Sequence, residues 1–178
     1  MRALVTASAL VALSLFTVTP TVLAAPAAAT APQFVATTVE GKRLDLRSLL
    51  TRGPVVLDFW ATWCHPCVQA MPGLQRMHEQ YSTRGVTVVG ISIDGPRNFA
   101  RVQPFARQRG VSFAIVRDED ASLQGRFHVT EVPTTLVIAP DGRIAATFTG
   151  YRPGQHAQIE AAVQALLVPA GAAADSTR

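Results

Sequence analysis

Two cysteines, the only ones among the 178 residues, stand three positions apart at Cys64 and Cys67. An apolar run precedes them and a helical pattern follows them, which places the pair where a strand gives way to a helix. Two thiols at this spacing can close on each other as a disulfide, and their thiolate forms can attack other disulfides. The pattern therefore indicates a dithiol redox centre.

The two thiols are expected to have different tasks. Cys64 falls at the amino end of the following helix, where unpaired N–H groups and the helix dipole favour negative charge. His65 adds a possible cation beside it, so both influences should lower the pKa of the Cys64 thiol. Cys67, one turn further along, should be more buried and stay protonated until needed. Cys64 is thus predicted to attack a partner disulfide, and Cys67 to resolve the mixed disulfide.

Two other uses of the cysteine pair fit the sequence less well. A metal site requires about four ligands, of which the pair supplies two, and neither His78 nor His128 has a recognisable ligand spacing. A purely structural disulfide would close a very short loop, and a short loop gives little stabilisation. The sequence therefore predicts no metal site, and it contains no glycine motif for a nucleotide cofactor.

The amino terminus has the pattern of a targeting signal. Arg2 supplies a positive start, residues 3–18 are apolar, and the small residues up to Ala24 suit a cleavage site. We predict a signal peptide over residues 1–24, with a retained membrane anchor formed by residues 3–19 as the alternative. Export would place the protein in the periplasm or another extracytoplasmic, oxidising compartment.

The rest of the chain reads as one domain with short flanks. Residues 25–32 are rich in Ala, Pro and Thr and predict a flexible spacer, residues 33–168 form the domain, and residues 169–178 are a disordered tail. The net charge is +4 and the sequence pI is about 9.8. The arginines are scattered and not interleaved with aromatic residues, which argues against nucleic-acid binding.

Strands and helices alternate along the domain. A small hairpin is predicted over residues 33–46, strands over 55–60, 86–93, 113–116, 134–138 and 144–148, and helices over 46–50, 66–84, 97–109, 121–127 and 153–167. Such alternation demands a parallel core, and the hairpin formed by strands 134–138 and 144–148 adds an antiparallel edge. The fold class is therefore α/β, a central mixed sheet with helices on both faces and an amino-terminal β-hairpin extension.

The motif FWATWCHPC over residues 59–67 resembles the thioredoxin superfamily. The VPTT motif at residues 132–135, PQF at 32–34, EGK at 40–42 and PDG at 140–142 resemble its exported TlpA/ResA-type branch. The similarity covers roughly residues 32–167. It implies a thioredoxin-like fold and the activity of a thiol–disulfide oxidoreductase.

The resemblance also implies roles for residues outside the motif. Pro133 would be in cis in a loop facing the cysteines, and the backbone of Val132 would pair with the substrate chain. From the residues alone, an ordinary trans proline before a strand is the simpler reading. Asp58 should be buried with a raised pKa. It matches the acid that helps to deprotonate Cys67, although it could instead be a structural aspartate satisfied by backbone or water.

Other residues form the predicted surroundings of the nucleophile. Trp63 would shield one side of Cys64, and Pro66 suits the first turn of the helix. His65 stands where thioredoxin has Gly, and it should favour the reduced form. We expect a potential above the ~−270 mV of thioredoxin and below the ~−120 mV of DsbA. Some relatives carry Glu where this chain has Ala70, and Glu131 stands where Gly is frequent.

The sequence therefore predicts an exported thiol–disulfide oxidoreductase. Its expected partners are disulfide-containing exported proteins, and the resemblance implies that it reduces them, apocytochromes of cytochrome c biogenesis among the candidates. Electrons would come from a membrane thiol reductase. Two other functions remain open: a thiol peroxidase, disfavoured by the lack of a Thr-x-x-Cys motif, and a metal or haem-maturation chaperone that uses the same thiols as ligands.

Overall fold

The computed structural model of the chain describes residues 29–167. Its strands are β1 Val35–Thr37, β2 Arg43–Asp45, β3 Val55–Trp60, β4 Thr87–Ser92, β5 Ala114–Arg117, β6 Thr134–Ile138 and β7 Ile144–Thr149. Its α-helices are α1 Leu46–Leu50, α2 His65–Tyr81, α3 Phe99–Gln108, α4 Ser122–Arg126 and α5 Gln155–Leu167.

Five strands form one sheet in the order β5-β4-β3-β6-β7. Strand β3 pairs in parallel with β4 and antiparallel with β6, and β7 continues the antiparallel edge. All six residues of the central strand β3 are buried, because helices cover both faces of the sheet. The mixed sheet and the separate β1–β2 hairpin confirm the predicted thioredoxin-like architecture.

Each face of the sheet has its own hydrophobic cluster. One face packs against α2, α3 and α5 and includes the alternate β3 residues Val56 and Trp60. The other packs against the β1–β2 hairpin, α1 and α4 and includes Val55, Leu57 and Phe59. The alternation follows from the two-residue period of a strand, and it assigns Asp58 to the face covered by α2.

The helix after the cysteines begins and ends close to the predicted positions. Cys64 caps it, with Pro66 in its first turn, and α2 ends at Tyr81, after which Ser82–Arg84 forms a 3₁₀ turn. Gly85 follows with a φ of 89°, a conformation that glycine adopts without steric cost. The predicted helix over 97–109 likewise starts with a 3₁₀ turn, Pro96–Asn98, before α3.

The chain ahead of β1 is ordered where the structure describes it. Ala31 is buried, its N–H donates to the Gly142 carbonyl, and Thr30 forms a bridge with Arg143. The end of the predicted spacer therefore packs against the β6–β7 turn. The predicted signal peptide or anchor and the whole of the predicted tail lie outside the described residues. Between residues 29 and 167, no helix is both long and apolar enough to cross a membrane.

Candidate active site

The cysteine pair lies at the carboxyl end of β3, where the central strand passes through a short turn into α2. The Cys64 N–H donates to the Ala61 carbonyl at 3.1 Å, which closes this turn. Cys64 is the N-cap of α2, and its backbone is extended while Cys67 is already helical. The sequence change from an apolar strand to a proline-started helix thus brings both sulfurs to the amino end of one helix.

Cys64 and Cys67 form a disulfide, with a Cα–Cα distance of 5.3 Å. The Cys67 N–H donates to the Cys64 Sγ at 3.2 Å. Cys64 is 4% exposed and Cys67 is fully buried. The order of exposure agrees with the predicted roles, although Cys64 itself is also largely covered in the disulfide form.

The residues around Cys64 present an exposed rim. Trp63 is 65% exposed, so its indole lies on the surface beside the nucleophile. His65 and Pro66 are also exposed, at the first two positions of α2. The unpaired N–H groups of this helix end and the adjacent imidazole are both suited to stabilise a thiolate.

Asp58 is buried in the middle of β3, on the sheet face against which both cysteines pack. Its Oδ1 accepts a hydrogen bond from the Thr135 hydroxyl at 2.7 Å. Burial raises the pKa of Asp58 to about 7, against a smaller lowering by the Thr135 hydrogen bond. The predicted burial and raised pKa are confirmed, and a carboxyl that titrates near neutrality can both accept and return a proton.

The loop before β6 reaches the same cluster. The Val132–Pro133 peptide is cis, as the resemblance implies. Val132 is half-buried against the cluster that contains both cysteines. Pro133 lines a narrow cavity with Ala70, which lies one turn beyond Cys67 on α2. Within residues 29–167, neither the N–H nor the carbonyl of Val132 has a backbone partner.

A second buried acid, Asp94, is linked to the turn before Cys64 and is not among the site residues that the sequence predicts. Asp94, two residues after β4, is 1% exposed and accepts hydrogen bonds from the backbone and side chain of Thr62. The sequence feature that could have pointed to Asp94 is the pair of polar residues, Ser92 and Asp94, that interrupts the apolar pattern where β4 ends. Adjacent parallel strands end at the same edge of a sheet, which brings that pair to the cysteine turn.

The two histidines weighed as metal ligands are His78 and His128. His78 is half-buried on α2 with its ring edge against Phe113, and His128 is an exposed loop residue. In the part of the chain that the structure describes, no three His, Cys, Asp or Glu side chains are grouped closely enough to hold a metal ion. A groove of about 600 Å³ lies beside Lys42 and Arg52 and contains none of the predicted site residues.

A mixed sheet with a helix-capping disulfide at the end of its central strand and a cis-proline loop beside it defines a thioredoxin-like thiol–disulfide oxidoreductase. Relatives support this class. The ResA thiol–disulfide oxidoreductase of Bacillus anthracis is 34% identical over 67% of this chain and 68% of its own length. The ResA of Bacillus subtilis is 35% identical over 67% of this chain and 65% of its own length. Residues 27–147 match the AhpC/TSA family, and the chain belongs to it.

Solved structures agree with the fold and the class. A putative thiol:disulfide interchange protein DsbE from Chlorobium tepidum superposes with a TM-score of 0.73 at 28% identity, covering 82% of this chain and all of that one. DsbF of Mycobacterium tuberculosis gives a TM-score of 0.66 at 30% identity over 77% of this chain and 99% of its own. A secreted M. tuberculosis disulfide oxidoreductase gives a TM-score of 0.63 at 28% identity, over 75% of this chain and 96% of its own.

Proposed function

We propose that this thiol–disulfide oxidoreductase reduces disulfides in exported proteins through Cys64 and Cys67. The observation that carries the proposal is the position of Cys64 as the N-cap of α2, with the Cys67 N–H directed at its sulfur. A thiolate at that sulfur would keep this hydrogen bond and would face the positive end of the helix dipole. Cys64 is therefore the attacking sulfur.

The first step forms a mixed disulfide. The Cys64 thiolate attacks one sulfur of the client disulfide, the client S–S bond breaks, and the other client sulfur leaves as a thiolate. Cys67 is fully buried beneath this point and stays protonated during the attack. Burial disfavours its charged form, so it does not compete as the nucleophile.

The second step releases the client. The Cys67 thiol gives its proton to the Asp58 carboxylate and attacks the Cys64 sulfur, which closes the enzyme disulfide and expels the second client thiolate. Asp58 suits this role because its pKa of about 7 leaves it close to half-ionised at neutral pH. It lies on the same face of β3 as the cluster that contains Cys67. The reaction converts one enzyme dithiol and one client disulfide into an enzyme disulfide and a client dithiol.

The client is proposed to bind across the rim of the site. The backbone N–H and carbonyl of Val132 are available for a strand-like contact with an extended chain. Trp63, the residue before Cys64, offers an exposed apolar surface. Glu131, which is also exposed, would favour clients with a positive charge near the disulfide.

Location and electron supply are part of the same proposal. A secreted disulfide oxidoreductase among the structural relatives supports an extracytoplasmic site of action. A signal peptide at residues 1–24, or an anchor at 3–19, would bring the chain there. Reduction of many clients requires a supply of electrons, which we assign to a membrane thiol reductase, with apocytochromes of cytochrome c biogenesis among the clients.

Trapping of mixed disulfides tests the proposal. Cys67→Ala removes the resolving thiol, so clients should accumulate on Cys64 when the variant is expressed in a bacterial host that exports it. Cys64→Ala is the matched control and should trap none. Exported proteins released from Cys67→Ala by reductant support the proposal. Equal capture by both variants, or capture only on Cys67, contradicts it.

Two assays on the purified protein separate this function from its rivals. Reduction of insulin disulfides, without comparable consumption of peroxide, supports the oxidoreductase and opposes a thiol peroxidase. Metal analysis of the reduced protein addresses a chaperone that uses the same thiols as ligands. One tightly held metal ion per chain, lost in Cys64→Ala, would favour the chaperone.

A further inference from the structure

A buried hydrogen-bond network joins the end of β4 to the turn that carries Cys64. The Asp94 carboxylate accepts hydrogen bonds from the Thr62 N–H at 2.9 Å and the Thr62 hydroxyl at 2.5 Å. It also accepts one from the Ser92 hydroxyl at 2.8 Å. Asp94 is 1% exposed and Ser92 is fully buried. Two of the three donors belong to Thr62, only two positions before the nucleophile.

Within the described residues, Thr62 is the residue whose hydrogen bonds tie this turn to the end of β4, while Ala61 and Cys64 at its two ends pack in the core. The last bond of the β3–β4 ladder runs from the Ile93 N–H to the Trp60 carbonyl at 2.9 Å. Beyond it, Thr62 and Trp63 are the central residues of the turn closed between Ala61 and Cys64. Trp63 is 65% exposed and contributes little anchoring. The Asp94 carboxylate therefore fixes the approach of the chain to Cys64.

We infer that Asp94 is a positioning residue, which acts through Thr62 to keep the Cys64 sulfur against the Cys67 N–H when the disulfide is open. In the oxidised protein the covalent bond itself keeps the two cysteines together. After reduction that constraint is gone, and the turn must hold the thiolate at the helix end. The inference rests on the proposed role of Cys64 as the nucleophile and adds a determinant outside the Cys-His-Pro-Cys motif.

Thr62→Val tests the inference most selectively, because it removes the hydroxyl donor to Asp94 and changes little else. Valine has nearly the shape of threonine, keeps the backbone N–H that donates to Asp94, and leaves the Asp94 charge in place. A changed thiol reactivity would therefore report on the turn and not on the loss of a nearby charge. Thr62→Ser restores the hydroxyl and should restore the reactivity.

The measurement is the rate of alkylation of the Cys64 thiol by iodoacetamide in the reduced protein, as a function of pH. Thr62→Val should lower the rate constant at pH 7 by about fivefold, the effect of losing one ordinary hydrogen bond. The midpoint of its pH profile should move upward, and its redox potential against glutathione should become more reducing. Thr62→Ser should stay close to the wild type in all three measurements.

Tyr81→Phe is the matched control for lost stability. The Tyr81 hydroxyl, at the far end of α2, donates to Glu160 and accepts from Gln164. Its loss should lower the melting temperature without moving the Cys64 pH profile. Ser92→Ala removes the third donor to Asp94 and should shift the profile in the same direction as Thr62→Val, which provides a second variant should the first not fold.

Three outcomes have distinct meanings. A Thr62→Val profile shifted as described, with serine rescue, supports the inference. A Thr62→Val profile superimposable on the wild type, with stability lost as in Tyr81→Phe, overturns it and leaves the proposed function intact. A wild-type Cys64 that reacts no faster than a peptide thiol contradicts the proposed function and the inference together.

Discussion

The Thr135 hydroxyl donates a 2.7 Å hydrogen bond to the Asp58 carboxylate across the β3–β6 pair. The two residues are 77 positions apart in sequence and face each other in the antiparallel register. Asp58 is buried, and within the described residues this hydroxyl is the only side chain that hydrogen-bonds to it. The hydrogen bond from Thr135 partly compensates the Asp58 carboxyl group for its burial inside the sheet.

Stability should fall as the pH rises across the titration of Asp58. The unfolded chain gives up this proton near the ordinary pKa of 3.8, whereas the folded chain keeps it until about pH 7. The folded state binds more protons in that window, so raising the pH favours unfolding, by about 4 kcal/mol in total. Asp58→Asn should flatten this slope in urea titrations at pH 5, 6, 7 and 8.

Asp118→Asn is the control for that experiment. Asp118 is also buried, but both of its oxygens accept backbone N–H groups at the start of α4. An amide has one accepting oxygen, so the change should destabilise the fold by about 1–3 kcal/mol near neutral pH. An Asp58→Asn variant as dependent on pH as the wild type would mean that Asp58 carries an ordinary carboxyl pKa.

Gly90→Ala should destabilise the protein by about 1–3 kcal/mol through overpacking. A Cβ at Gly90 would approach the Trp60 Nε1 to 2.9 Å and the Phe113 ring to 3.2 Å. Gly125→Ala is the matched control, because a Cβ there meets nothing within 4 Å and the residue is in α4. It should be neutral or stabilise by a few tenths to about 1 kcal/mol. Equal melting temperatures for the two variants would contradict this packing.

His128→Gly should stabilise the protein by about 1 kcal/mol, because only glycine adopts a positive φ without steric cost. His128 has a φ of 52° and is exposed, so the substitution removes no core contact. The same sign is expected for Ala121→Gly at a φ of 56°. Chemical denaturation gives the free energy of unfolding of both variants. A loss of stability in both would show that these turns are not strained.

The redox potential should lie between ~−270 mV and ~−120 mV. The basis is His65 at the first position of α2, next to the sulfur that the helix end stabilises. His65→Gly should make the potential more reducing, because the reduced form loses the imidazole beside its thiolate. Equilibration with glutathione measures both proteins. A wild-type potential at or below −270 mV would remove this role for His65.

The fold was largely predictable because its elements have strong local signals. The buried strand β3, the proline in the first turn of α2 and the turn before β7 are each specified by neighbouring residues. Helix ends were less predictable, since a 3₁₀ turn continues the helical pattern at both Ser82–Arg84 and Pro96–Asn98. Local propensity does not separate the two kinds of helix there.

The candidate site was predictable where its residues share one segment. Cys64, Cys67, Trp63 and His65 could be placed by spacing alone, and Asp58 by its charge within an apolar strand. The hydrogen-bond partners of the site residues could not be identified from the sequence. Thr135 meets Asp58 only through the register of an antiparallel pair, and Asp94 meets Thr62 only through the adjacency of two strand ends. Both contacts depend on tertiary pairing that a single sequence does not encode locally.

The most direct test of this account is the order in which the two thiols of the reduced protein react with a limiting alkylating agent. Peptide mapping after brief exposure to iodoacetamide at pH 7 gives the modified fraction at each cysteine. We predict that Cys64 is modified first and faster than a free peptide thiol, with an apparent pKa below the ordinary ~8.5. Preferential modification of Cys67, or a Cys64 rate equal to that of the peptide, would contradict the central claim.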